Sequence, residues 1–128
     1  MTLPPEEKSV VILMTCGPST PGRCATPFFI AALLASMDAE VMVFMTMEAV
    51  RLAHKGVAEQ LAAVPGGKSI LQFMRDAKEL GVKIHICTPA LPGYDMAADI
   101  DIIDEVDELS SGGVLADMLL SCDKVITF

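Results

Sequence analysis

An α/β fold, specifically a three-layer α/β/α sandwich around a mainly parallel sheet of about five strands, is what this 128-residue chain predicts. Three observations carry that expectation. Ser9 to Thr15 (Ser-Val-Val-Ile-Leu-Met-Thr) and Glu40 to Met45 (Glu-Val-Met-Val-Phe-Met) are β-rich apolar runs without polar alternation, the pattern of strands buried on both faces. Between such runs lie segments with helical start and stop signals, and strands alternating with helices imply a parallel sheet covered on both sides. Hydrophobic residues make up 52% of the chain and the mean hydropathy is +0.52, which suits a doubly covered sheet or apolar surface covered by other subunits.

The elements follow in order. After the first strand, Cys16 to Arg23 (Cys-Gly-Pro-Ser-Thr-Pro-Gly-Arg) holds two Pro and two Gly and reads as a loop. Thr26-Pro27 supplies an N-cap and a first helical residue for an apolar helix running to about Met37. The second strand, Glu40 to Met45, leads into a short helix from Glu48 to Lys55 stopped by Gly56. Residues 57 to 67 end in Pro65-Gly66-Gly67 and read as a loop with room for one helical turn. Ser69 to Leu80 is an amphipathic helix with Ile70, Leu71, Met74, Ala77 and Leu80 on its apolar face and Gly81 as C-cap. Val82 to Cys87 is the third strand. A short fourth strand is expected between Ile100 and Leu109, then a helix over Gly112 to Ser121 and a last strand over Lys124 to Phe128. No repeat, linker or low-complexity segment divides the chain, so residues 1–128 read as one domain.

Composition excludes several classes. A net charge of −8 argues against nucleic acid, whose phosphates call for clustered Lys and Arg. The longest apolar stretch, Pro27 to Ala35, is too short for a membrane span, and Met1 to Lys8 lacks the order of a signal peptide. A cytoplasmic location is therefore expected. Seven acidic residues lie between Asp95 and Glu108 with no Lys or Arg among them. They read as a solvated face, or else as a docking surface for a basic partner.

Four cysteines, Cys16, Cys24, Cys87 and Cys122, occur without a secretory leader, which favours chemistry or packing over a disulfide framework. Cys87 ends the run Gly81-Val82-Lys83-Ile84-His85-Ile86-Cys87 and is followed by Thr88-Pro89. In open α/β sheets, ligands gather at the carboxyl ends of strands. A thiol delivered there, ahead of a helix N-terminus, meets the conditions for a reactive thiolate, although a buried cysteine serving as a small hydrophobe fits the position too. If the first and third strands are neighbours, Cys16 and Cys87 leave the rim side by side, with Cys24 and Arg23 closing the crevice from the loop. His85, two residues before Cys87, shares its face and is placed to assist as a base, or else is a satisfied core histidine. Cys122 precedes the last strand and belongs to the opposite rim, where a structural role is expected; His54 reads as structural or interfacial.

Spacing tests the readings of this cluster. A phosphatase-type loop needs five residues between Cys and Arg, whereas six separate Cys16 from Arg23, and two prolines remove N–H groups from the loop. No Trp and a single tyrosine, Tyr94, leave little to stack on a flavin. Structural zinc prefers closely paired ligands, and no C-x-x-C dithiol is present. No cofactor and no metal are expected. Single-thiol chemistry on Cys87 remains, as a persulfide or mixed-disulfide carrier.

The buried first strand with its Gly-Pro loop, the Ala31-Ala32-Leu33-Leu34-Ala35 helix, Glu40 to Phe44, Gly81 to Cys87 and the closing Ala116 to Phe128 together resemble the DsrE/DsrF-like family, which includes the TusD proteins. The similarity spans nearly the whole chain, and its most specific element is Gly-Val-x-x-x-x-Cys. The resemblance implies a three-layer α/β/α domain, assembly into homotrimers or homohexamers, and relay of sulfane sulfur received from a TusA-like carrier. It assigns the sulfur-accepting cysteine to Cys87; Cys16 and Cys24 match no family-wide motif. Some members of the family lack the active cysteine. The alternatives are a non-catalytic oligomeric or small-ligand-binding module, and a thiol redox sensor built on the rim cysteines.

Overall fold

The computed structural model describes residues 8–128. The segment Met1 to Glu7, most of the stretch that bears on a leader, lies outside the described residues. Five strands, β1 (Ser9–Met14), β2 (Glu40–Met45), β3 (Lys83–Cys87), β4 (Glu108–Ser110) and β5 (Lys124–Thr127), pair in parallel in the order β4-β3-β2-β1-β5. The helices are α1 (Thr26–Ser36), α2 (Val57–Gln60), α3 (Ile70–Glu79) and α4 (Gly112–Ser121). Shorter 3₁₀ stretches cover Pro21–Arg23, Met47–Ala53 and Thr88–Tyr94.

The chain winds outward from β1 through β2 and β3 to β4, then returns across the sheet to set β5 on the other side of β1. Right-handed crossovers put the helices of the outward path and the helix of the return path on opposite faces. α1 and α3 therefore cover one face and α4 the other. A cavity lined by Met42 of β2 and by Asp117, Met118 and Ser121 of α4 marks the α4 face. Val10, Ile12, Met14, Val41, Val43, Met45, Ile84 and Ile86 belong to the main core with α1 and α3. The alternate residues Val11 and Phe44 are fully buried toward α4 as well, which is why these strands read as unbroken apolar runs.

Local chemistry explains the elements. Ser69 caps α3 by accepting the Gln72 N–H at 3.1 Å, and Ile70, Leu71, Met74 and Ala77 are its buried face. Gly81, just beyond the α3 C-cap, takes φ +92°, a left-handed conformation that ends a helix without Cβ strain. α1 is apolar around its whole circumference. Phe28 and Ala31 point inward, while Phe29, Leu33 and Met37 form an exposed stripe at helical spacing, 52%, 46% and 72% accessible. On the opposite face, α4 is apolar yet has no buried residue, and its Leu120 is 90% exposed.

Three expectations shift. The segment expected as a helix over Glu48 to Lys55 is 3₁₀, Met47–Ala53. The fourth strand is only three residues long and starts at Glu108, so the expected interval from Ile100 is mostly irregular chain. That chain is tied down by Lys55 N–H to the Asp101 carbonyl (2.8 Å) and Ile103 N–H to the Ala53 carbonyl (2.9 Å). The acidic run, unbroken in sequence, meets cations in space. Arg75 pairs with Glu105 at 2.9 Å and Lys78 with Asp107 at 2.6 Å, which leaves less free negative charge for a docking surface.

Candidate functional site: a cysteine at the end of the third strand

The strand order separates the expected rim cluster into two parts. β2 lies between β1 and β3, so β1 and β3 are not neighbours. Their ends stand two inter-strand spacings apart, about 10 Å. The winding reverses between β1 and β5 instead, and that notch is closed by Thr15, whose N–H and hydroxyl both donate to the Phe128 carbonyl at 2.7 and 2.9 Å. Cys16 and Cys87 therefore do not flank one crevice. The adjacency failed because nothing in the residue pattern says on which side of β1 each later strand docks.

Cys16, Cys24 and Arg23 do come together, in the loop from β1 to α1, but as a packed turn. Cys16 and Cys24 are buried members of the core, and Cys24 is inaccessible. The Cys24 thiol donates to the Gly17 carbonyl at 3.2 Å and the Cys16 thiol to the Arg23 carbonyl at 3.5 Å. Burial, and after it the neighbouring Cys16, push the Cys24 thiol up to about 12. A thiol held that high is protonated at neutral pH and is a poor nucleophile. The loop is pinned from outside by Glu48, whose carboxylate accepts from the Ser19 N–H (3.0 Å) and hydroxyl. These Ser19 bonds hold the Glu48 carboxyl below its ordinary value. Gly17 has no room for a side chain, since a Cβ there would lie 2.5 Å from the Glu48 carbonyl oxygen.

Cys87 is a free, half-buried thiol at the carboxyl end of β3. It is the N-cap residue of the 3₁₀ stretch Thr88–Tyr94, so a helical segment does open there, with Pro89 in its first turn. By strand alternation Cys87 shares a face with His85. Across the ladder its Cα partner is Ser110 of β4, and His85 is opposite Glu108. The His85 ring is fixed on two sides: it stacks on buried Phe44 with centroids 6.0 Å apart and planes 13° from parallel, and its Nδ1 lies 3.0 Å from the Ser110 hydroxyl. Burial pushes the His85 pKa below its ordinary value, and the Glu108 and Asp107 carboxylates offset this only in part, which favours the neutral ring.

Ser110 and Phe44 are the residues that sequence reading missed. In the sequence Phe44 is one residue of an apolar strand, and Ser110 becomes visible only once the β3–β4 register is known. Cys122 lies at the opposite rim, capping the C-terminus of α4 beside Ser9 and Glu40. His54 is half-exposed and faces Asp101 at 3.9 Å. Among the described residues, no group of three or more His, Cys, Asp or Glu side chains is placed to hold a metal ion. No helix among them is long and apolar enough to cross a membrane.

Fold and site together define an open, fully parallel α/β domain that presents one accessible strand-end thiol at the sheet rim. The chain belongs to the DsrE/DsrF-like family, whose model matches residues 8–128. That family is one of sulfur relay. A comparison with curated proteins returns no match. Among solved structures, the YchN protein of E. coli is similar at 24% identity, covering 94% of this chain and 99% of its own with a TM-score of 0.78. A protein of unknown function from Methanobacterium thermoautotrophicum matches at 17% identity, 96% and 100% coverage and TM-score 0.60. A conserved protein of unknown function from Bacteroides thetaiotaomicron matches at 12% identity, 94% and 95% coverage and TM-score 0.64. At these identities the three similarities establish the fold.

Proposed function

We propose that this protein is a sulfur carrier that holds sulfane sulfur as a persulfide on Cys87 and relays it from a TusA-like or other persulfide donor to an acceptor thiol. One observation carries the reading: of the three cysteines nearest the carboxyl rim, Cys16 and Cys24 are buried and bonded to loop carbonyls, whereas Cys87 is only partly buried at a strand end. Loading is thiol exchange. The Cys87 thiolate attacks the outer sulfur of a donor persulfide, R–S–SH, and a new S–S bond forms as the donor's S–S bond breaks. R–S⁻ departs with the electron pair and takes up a proton. Discharge repeats the step with the acceptor thiolate attacking the outer sulfur and Cys87 as leaving group. No net oxidation occurs.

A homo-oligomer, trimeric or hexameric, is part of the same proposal. Its support is the pair of exposed apolar surfaces on opposite sides of the sheet, Phe29-Leu33-Met37 on α1 and the face of α4 around Leu120. A lone soluble domain rarely leaves helices apolar on their outer side. A cytoplasmic setting is proposed with it, since a persulfide relay needs thiols kept reduced.

Transfer from a persulfidated donor carrying ³⁵S sulfane sulfur tests the carrier step. Label should pass to the wild type and onward to an acceptor thiol, and Cys87→Ser should take up none. Undiminished uptake by Cys87→Ser would remove the assignment.

A further inference from the structure

The geometry points to Ser110 as a positioning residue that couples His85 to the sulfur chemistry of Cys87. This deepens the carrier reading and rests on it for the identity of the reacting sulfur. Among the described residues, Ser110 is the one polar residue in the buried set, only 5% accessible, on a three-residue edge strand where a small apolar residue would suffice for packing. It is also the direct Cα partner of Cys87. Residues paired across neighbouring strands lie about 5 Å apart. The Ser110 hydroxyl, 3.0 Å from His85 Nδ1, is thus carried by the residue paired with Cys87 across the ladder.

The arrangement has a direction. His85 pairs with Glu108, two residues before Ser110, yet its ring bonds diagonally to Ser110, the partner of Cys87. Its stacking on Phe44 keeps it there. When Nδ1–H donates to the serine oxygen, the serine O–H is free to donate to a sulfur anion on Cys87, either the thiolate or the terminal sulfur of the persulfide, about 2 Å further out. Ser110 orients that donor, and His85 fixes the orientation of Ser110.

The charged and titratable groups around this cluster are few. Lys83 shares the strand and face, Glu108 and Asp107 approach from the β4 side, and Asp107 is engaged by Lys78. β2 offers the apolar Phe44 and Met42. The sole charge on α4, Asp117, lies with Glu40 and Met42 in the cavity toward the amino ends of the strands. The 3₁₀ stretch after Cys87 contributes only Tyr94. None of them substitutes for the serine hydroxyl as a donor opposite Cys87.

The test is the rate of Cys87 alkylation by iodoacetamide against pH, read by peptide mass spectrometry, in the wild type, Ser110→Ala, Ser110→Thr and His85→Gln. Ser110→Ala should slow alkylation about tenfold near pH 7 and move the profile to higher pH, the scale of one lost hydrogen bond to a charged group. Ser110→Thr should restore the profile, and adding Ser110→Ala to His85→Gln should change little more. A Ser110→Ala profile superimposed on the wild type, with melts confirming that both are folded, overturns the coupling. Polysulfide loading of the same proteins keeps the two ideas apart. A shifted profile without any sulfur uptake by the wild type refutes the carrier reading and leaves the coupling standing. Uptake with an unmoved profile refutes the coupling alone.

Discussion

Asp107 offers a quantitative check on how the sheet edge beside Cys87 is held. β4 begins only at Glu108, so the Ile84 N–H on that side of β3 meets a side chain in place of a strand. Asp107 accepts it through Oδ2 at 2.8 Å, while its own N–H donates to the Ile84 carbonyl at 2.8 Å. The same carboxylate binds the Lys78 ammonium of α3 at 2.6 and 2.7 Å. In Asp107→Ala the amide of fully buried Ile84 loses its acceptor, which costs about 1–3 kcal/mol. The Lys78 pair is partly solvated and adds about 0.2–1 kcal/mol. At roughly 4 °C per kcal/mol for a chain of this size, the expected fall in Tm is about 5–16 °C. Asp107→Asn keeps an oxygen for Ile84 and loses only the charge, so its fall should be about 1–4 °C. The pH dependence has a definite sign. Burial acts to raise the Asp107 carboxyl, but the Lys78 and Ile84 bonds and the charges of Lys78 and Lys83 outweigh it and hold it below its ordinary value. A depressed carboxyl stabilises fully above the unfolded value, near 4, and the contribution is lost as pH falls through the folded value. Thermal melts of wild type and Asp107→Ala should therefore differ by a constant amount from pH 7 to about 5, and the gap should narrow below about 4 without closing, because the protonated carboxyl still offers Ile84 an oxygen. Equal losses for Asn and Ala, or a gap that widens in acid, would refute this reasoning.

Further outcomes follow from the same structure. With iodoacetamide at pH 8, Cys87 should react in the native protein while Cys24 waits for denaturant, because its pKa is held near 12; native-state labelling of Cys24 at a comparable rate would show that the loop opens. Gly17→Ala should lower stability by about 2 kcal/mol or more, since its Cβ would meet Glu48 backbone at 2.5 Å, and a chemical denaturation midpoint equal to wild type would contradict the packing described. Replacing Phe29 and Leu33 together by Glu should reduce the assembled mass in light scattering at unchanged helix content, and an unaltered mass would release the α1 stripe from any interface role.

The sequence pattern revealed the sheet because its strands are buried on both faces, and Ser9–Met14 and Glu40–Met45 declare that without help from context. α3 was equally plain, with Ser69 and Gly81 bracketing a single apolar stripe. β4 was harder, since three residues at an edge, with Glu108 and Leu109 exposed, carry no burial pattern. Cys87 and His85 were visible as a strand-end pair. Ser110 was not, because its proximity depends on register across β3 and β4, a long-range property that local pattern does not encode. The grouping of Cys16 with Cys87 failed for a related reason: the position of β2 between their strands is set by the order in which crossovers dock. The acidic stretch from Asp95 to Glu108 looked unpaired because Arg75 and Lys78, its partners, lie about 30 residues earlier.

The central claim is that Cys87 carries the sulfur. Incubation with inorganic polysulfide, followed by intact and peptide mass spectrometry on the wild type and Cys87→Ser, tests it most directly. The account predicts a mass increase of one or more sulfur atoms on the Cys87 peptide of the wild type, reversed by a thiol reductant and missing from the variant. No added sulfur, under conditions that load a known persulfide carrier, or the same addition on Cys87→Ser, would contradict it.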